Sequence, residues 1–94
     1  MISPVEQLFA LIYDYVPDIA ERREPHRAAH LGLLRSGYEA GGVRIAGATG
    51  DPVSGGLLVF TSQEAAEQFV ADDPYQAAGL VTGYRIVPWA VAVP

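Results

Sequence analysis

The chain has 94 residues, the length of one domain, and a domain this small keeps roughly a third of its unfolded-state surface exposed, so an oligomer would help it. With 50% hydrophobic and only 18% charged residues it reads as a folded unit, which excludes a disordered tail. Its 6 basic residues are all arginine and stand against 11 acidic ones, and the net charge of −5 excludes the basic footprint of a nucleic-acid binder or of a protein drawn to an anionic membrane.

The first residues, Met1-Ile2-Ser3-Pro4, lack the charged stretch and apolar core of a secretory leader, and no apolar run approaches the ~20 residues of a membrane span. A cytoplasmic protein is expected. Residues 5 to 16 are rich in β-branched and aromatic types and predict a strand, with Val5, Phe9, Leu11, Tyr13 and Tyr15 on one face and Leu8, Ala10, Ile12 and Val16 on the other. Asp18 to Glu24 form a charged lead-in to a long helix that starts at Pro25, carries Arg27, His30, Leu31, Leu34 and Tyr38 at helical spacing, and stops at Gly41-Gly42.

Val43 to Ala48 predict a second strand, and the turn residues from Thr49 to Gly56 join it as a hairpin to Leu57-Leu58-Val59-Phe60. Thr61-Ser62-Gln63-Glu64 matches a capping box and opens a helix with Ala65, Ala66, Phe69 and Val70 as its apolar stripe. Pro74 stops that helix, a short turn runs from Pro74 to Ala78 and closes at Gly79, and a last strand spans Tyr84 to Trp89 or beyond. The order β-α-β-β-α-β over residues 1–94 is the split βαβ of a ferredoxin-like α+β domain, a four-stranded antiparallel sheet with its helices on one face. The strands are apolar on both faces, however, which calls for a second layer, and another copy of the same sheet would supply it in a homodimer.

Without cysteine the chain has no disulfide, thiolate metal site or cysteine nucleophile. His30 is the histidine set in a helical pattern, with Arg27 one turn before it; it reads either as a proton-transfer group or as a core-edge histidine satisfied by a backbone carbonyl. His26, beside a proline in a charged stretch, is expected to be exposed. Asp73, ahead of Pro74, is a ready N-cap, and its remaining acceptor sites allow it to orient an imidazole as well. Asp72 is expected to be solvated. His26 and His30 have the spacing of a helical metal pair, but no third ligand accompanies them and no metal is expected. The glycines between Gly47 and Gly56 lie between strands rather than ahead of a helix, so they do not make a phosphate cradle.

Glu21-Arg22-Arg23, Arg27-Ala28-Ala29-His30-Leu31, Ala46-Gly47, Glu64-Ala65-Ala66, Asp73-Pro74-Tyr75, Ala78-Gly79-Leu80 and Ile86-Val87-Pro88-Trp89 follow one another in an order and spacing that resembles the YciI-like, or YCII-related, family. That family consists of small proteins of the dimeric α+β barrel superfamily. The resemblance implies a histidine and an aspartate facing a pocket as a catalytic pair, matching His30 and Asp73, and a ligand site to which Gly47 and Tyr75 contribute from matching segments. The chain departs from the pattern at Ala28, where relatives often have proline, and at Gly56, where they often have serine. Superfamily relatives include monooxygenases, isomerases and dehydrochlorinases, so the fold does not choose a chemistry.

Two functions stand open at this point. One is a cofactor-independent lyase or isomerase in which His30 is the general base, Asp73 fixes its tautomer, and Arg23 or Arg27 holds an anionic group of a small metabolite. The other is a non-catalytic dimeric module that holds a small molecule in the same pocket. A cavity beside the imidazole, with His30 and Asp73 within hydrogen-bonding reach, would favour the enzyme.

Overall fold

The structure is a computed structural model that describes residues 6–94. Its elements are β1 (Glu6–Tyr15), α1 (Ile19–Arg22), α2 (Glu24–Glu39), β2 (Val43–Thr49), β3 (Gly55–Phe60), α3 (Gln63–Asp72), α4 (Pro74–Ala77) and β4 (Val81–Val91). The strands form one four-stranded sheet in the order β2-β3-β1-β4, with every neighbouring pair antiparallel. This is the ferredoxin-like βαββαβ arrangement, with β1 and β3 as the central strands.

Alternation along β1 divides its side chains between the two faces. Leu11 and Tyr13 are buried in the main core with Val43, Leu58, Phe60, Ala66 and Phe69, on the helix side. The register sets Leu11 opposite Leu58 on β3 and opposite Ile86 on β4, so the apolar residues form a continuous band across the central strands. On the other face lie Leu8, Ala10 and Ile12, with Leu57 and Val59 from β3 and Val87 and Trp89 from β4. Leu8, Val59 and Val91 form a buried cluster there, while Leu57 and Trp89 remain substantially exposed. The two-sided apolar pattern of the strands is thus a property of the folded sheet. Val5, expected on the same face as Leu11 and Tyr13, lies outside the described residues.

Several boundaries differ from the sequence-based expectation, each for a local reason. The charged lead-in contains α1, because Ile19 is 1% exposed and packs with Val16, Tyr75 and Leu80, an anchor hidden among charged neighbours. The long helix starts at Glu24, with Pro25 in its first turn, where its missing N–H costs nothing. α3 is capped by Ser62, whose hydroxyl oxygen accepts from Ala65 N, rather than by Thr61 in a capping box; Thr61 instead donates to the carbonyl of Gly41. β4 begins at Val81, earlier than Tyr84, since β1 is long enough to pair with it as far as Tyr15. His26 is half-buried rather than exposed, whereas Asp72 is exposed and accepts from Gln68.

Among the described residues no helix is long and apolar enough to cross a membrane.

Candidate active site

The site is built where β1, α2 and the junction between α3 and α4 meet. Asp73 stands at that junction with φ −68° and ψ 120°, the extended geometry that a following proline imposes. The extended residue turns its carboxylate back over the first turn of α4, where Oδ1 accepts from Tyr75 N at 3.0 Å. The same oxygen lies 2.8 Å from His30 Nδ1, and Oδ2 accepts from the Tyr13 hydroxyl at 2.9 Å. Asp73 is therefore cap and histidine partner at once, buried and held by donors from three elements.

His30 is the buried residue of α2. A carboxylate accepts and does not donate, so the partner of Asp73 is the Nδ1–H tautomer of the imidazole. Nε2 is left as the ring nitrogen with a free lone pair, and it has no protein partner among the described residues. The ring is clamped by aromatic neighbours: Tyr75 stacks on it with centroids 3.7 Å apart and planes 3° from parallel, and Phe69 meets it edge-on at 5.9 Å. The imidazole has little freedom to turn.

Beside this ring lies a cavity of about 210 Å³ whose lining includes His30, Tyr75, Tyr15, Arg23, Arg27 and Gly47. It is smaller than the ~300–1,000 Å³ of drug-sized sites, a size for one small ring. Neither arginine forms an ion pair with a carboxylate among the described residues, and Arg23 Nε is buried with no partner. The cavity lining thus combines cationic donors with the imidazole. A larger groove of about 550 Å³ adjoins it between α2 and β2, sharing Leu31, Leu34 and Ala46, but its lining holds neither a histidine nor a carboxylate. Chemistry rather than size therefore points to the smaller cavity.

The residues singled out from sequence converge here. His30, Arg23, Arg27, Gly47 and Tyr75 all border the cavity, while Asp73 sits behind the imidazole and does not border it. Tyr75 is 2% exposed, packed with Val16, Ile19 and Leu80 as well as stacked on the histidine. Ala28 is exposed on an uninterrupted helix.

Sequence reasoning missed Tyr13 and Tyr15. Their signal was available: both fall on the helix-facing side of β1, two residues apart. Burial pushes the Tyr13 phenol well above its ordinary range, and the neighbouring Asp73 charge and hydrogen bond push it further. Burial raises Tyr15 as well, followed by the Asp73 charge, with Arg23 opposing. Burial also raises Tyr75, against the pull of Arg23 and Arg27. All three phenols are therefore neutral donors near neutrality.

Gly56 bears on the same place. A methyl group added there would lie 2.9 Å from the Tyr15 hydroxyl oxygen, so the room that a serine side chain would need is taken by the Tyr15 phenol.

A profile of the YCII-related domain matches residues 7–90, nearly the whole chain. The chain belongs to the YCII-related family. Its fold is of the dimeric α+β barrel type. Among solved structures, this YCII-related domain is similar to 5-chloro-2-hydroxyhydroquinone dehydrochlorinase from Burkholderia phenoliruptrix AC1100, in its complex with 2,5-dihydroxybenzoquinone. The two share 25% identity with a TM-score of 0.71, over 87% of this chain and 92% of the other. No curated protein matches the sequence.

Proposed function

We propose that this YCII-related domain is a cofactor-independent enzyme of the lyase or isomerase type that moves a proton on a small anionic metabolite. The observation that carries the reading is the buried His30–Asp73 pair, 2.8 Å apart, beside a cavity bordered by Arg23 and Arg27. In this reading Asp73 holds the Nδ1–H tautomer, which leaves Nε2 as the general base. When Nε2 takes a proton, the Asp73 carboxylate stabilises the imidazolium, and the Tyr13 and Tyr75 hydrogen bonds keep that carboxylate in place. Arg23 and Arg27 hold the anionic group, while Gly47 and Tyr75 border the space for the ring.

The similarity to a dehydrochlorinase supports this class of chemistry. In a dehydrochlorination a base removes a proton, the electron pair left behind expels chloride, and no electron is gained or lost overall. A single oriented histidine is sufficient for such a step. A binding module needs no base with an open nitrogen, so the cavity beside the imidazole favours the enzyme over that alternative.

The working unit in this proposal is a homodimer. Leu57 and Trp89 are exposed on the sheet face away from the helices, beside Ile12 and Val87, and apolar area left in water there costs about 25 cal/mol per Å². A second copy packed on the same face would cover it.

The test combines binding and turnover. The protein should bind 2,5-dihydroxybenzoquinone with a shift of the His30 ring signals, and should release chloride from 5-chloro-2-hydroxyhydroquinone or a related hydroxylated ring compound. His30→Ala should remain folded and lose the release. Binding without turnover of any such compound would favour the module, and a His30→Ala variant as active as the parent would remove His30 from the chemistry.

A further inference from the structure

Tyr15 has no assigned part in the proton transfer, yet it borders the same cavity as His30 and both arginines. Its ring is set by Tyr75, at 5.9 Å and 77°, and by Tyr13, at 5.8 Å and 57°. The Tyr13 hydroxyl is consumed by Asp73, whereas that of Tyr15 donates to no group among the described residues. Nor is the side chain sealed off: Tyr15 is half-buried and borders the cavity. What lets the phenol reach over β3 is the missing side chain of Gly56, since a Cβ there would meet the hydroxyl oxygen at 2.9 Å, the ring Cζ at 3.4 Å and Leu58 Cδ1 at 3.2 Å.

We infer that the Tyr15 hydroxyl is a specificity-determining donor of this cavity, which hydrogen-bonds an oxygen of a bound hydroxylated or oxo-substituted ring compound, and that Gly56 makes the space in which it does so. The inference rests on the reading of the site proposed above and names the ligand class more closely. His30 Nε2 and Tyr15 ask for different groups. The imidazole nitrogen accepts a proton, so it faces an acidic O–H or C–H; the phenol keeps its proton and faces an acceptor. With Arg23 and Arg27 drawing negative charge, the ligand that satisfies all of them is a small ring bearing both an acidic hydrogen and an anionic or carbonyl oxygen. A purely apolar ring would leave the phenol and the arginines without partners.

Binding of 2,5-dihydroxybenzoquinone, measured by calorimetry on the intact protein, tests the inference through a double-mutant cycle. Tyr15→Phe keeps the ring and its packing, and should weaken binding about tenfold, the loss of one hydrogen bond to a charged or strongly polar oxygen. Gly56→Ala leaves the hydroxyl present but displaces it, and should weaken binding by a similar factor. Combined with Tyr15→Phe, Gly56→Ala should add clearly less than it costs alone, because the oxygen it meets at 2.9 Å is gone and only the looser contacts with Leu58 and the ring remain. His30 ring signals should still respond to saturating ligand in all three variants. Parental affinity in Tyr15→Phe would overturn the inference while leaving the His30 reading intact, as would fully additive losses in the double variant, since Gly56→Ala would then act through packing alone. No binding by the unmodified protein would overturn this inference together with the reading of the site.

Discussion

The imidazole of His30 lies flat on the phenol ring of Tyr75, with centroids 3.7 Å apart and planes 3° from parallel, while the backbone N–H of Tyr75 and His30 Nδ1 share one oxygen of Asp73. One residue of the short helix α4 thus supports the histidine through its ring and the aspartate through its backbone. The pair is oriented by a helix start, so its geometry is coupled to whether that turn is folded.

Tyr75→Phe should therefore preserve the site, as the stack and the backbone donor both remain. Tyr75→Ala should cost about 3–5 kcal/mol, the usual range for truncating a buried aromatic. It should also loosen the imidazole, seen as faster solvent exchange of the His30 Nδ1 proton by NMR.

Asp73→Asn tests the aspartate beyond its capping role. An amide offers one acceptor oxygen where the carboxylate oxygens receive Tyr75 N, His30 Nδ1 and Tyr13 Oη, so its NH₂ replaces an acceptor that at least one of these donors uses. The expected loss is about 2–3 kcal/mol by urea unfolding, against a few tenths for an N-cap exchange alone. A loss within the smaller range would mean that Asp73 is merely a cap.

Tyr13→Phe removes the donor to Oδ2 and leaves that oxygen buried without its partner, and should cost about 1–3 kcal/mol. Its loss and that of Asp73→Asn should be non-additive in a double-mutant cycle, because both break the same bond.

Alkaline pH should destabilise the fold from the tyrosines inward. Tyr13, Tyr15 and Tyr75 are all raised from the ordinary value of 10.0, so the folded state holds their protons more tightly than the unfolded chain does. Their stabilisation is fully present below pH 10.0 and is lost as the pH climbs from there through the raised folded values. Stability should be insensitive to these groups near neutrality and fall steeply above the ordinary phenol range, with phenolate absorbance rising as the protein unfolds. Full phenolate absorbance at the ordinary value in a still-folded protein would contradict the burial of this cluster.

The two sheet faces should answer differently to charge. Phe60, 2% exposed, packs in the helix-side core, and Phe60→Asp should unfold the protein, since an unpaired buried charge costs several kcal/mol. Leu57, 38% exposed on the opposite face, should tolerate aspartate within one chain. Leu57→Asp should instead convert the proposed dimer to a folded monomer, measured by sedimentation with circular dichroism as the check on folding.

Alternation of apolar residues, proline and glycine positions and the Asp73-Pro74 step determined the element order by themselves, because these signals act through the backbone of a few neighbouring residues. The sequence also specified the residue types the chemistry needs, His30 and Asp73 with Arg23 and Arg27. One short element escaped it: α1 depends on the burial of Ile19 against Tyr75 and Leu80, contacts that no local pattern encodes. Only the tertiary structure decided that Asp73 serves the cap, the histidine and Tyr13 together, since those donors come from positions 43 and 60 residues away as well as from its own helix. It likewise decided that Tyr15 occupies the space above Gly56, where strand pairing brings together residues whose proximity depends on register and on the turn of one ring.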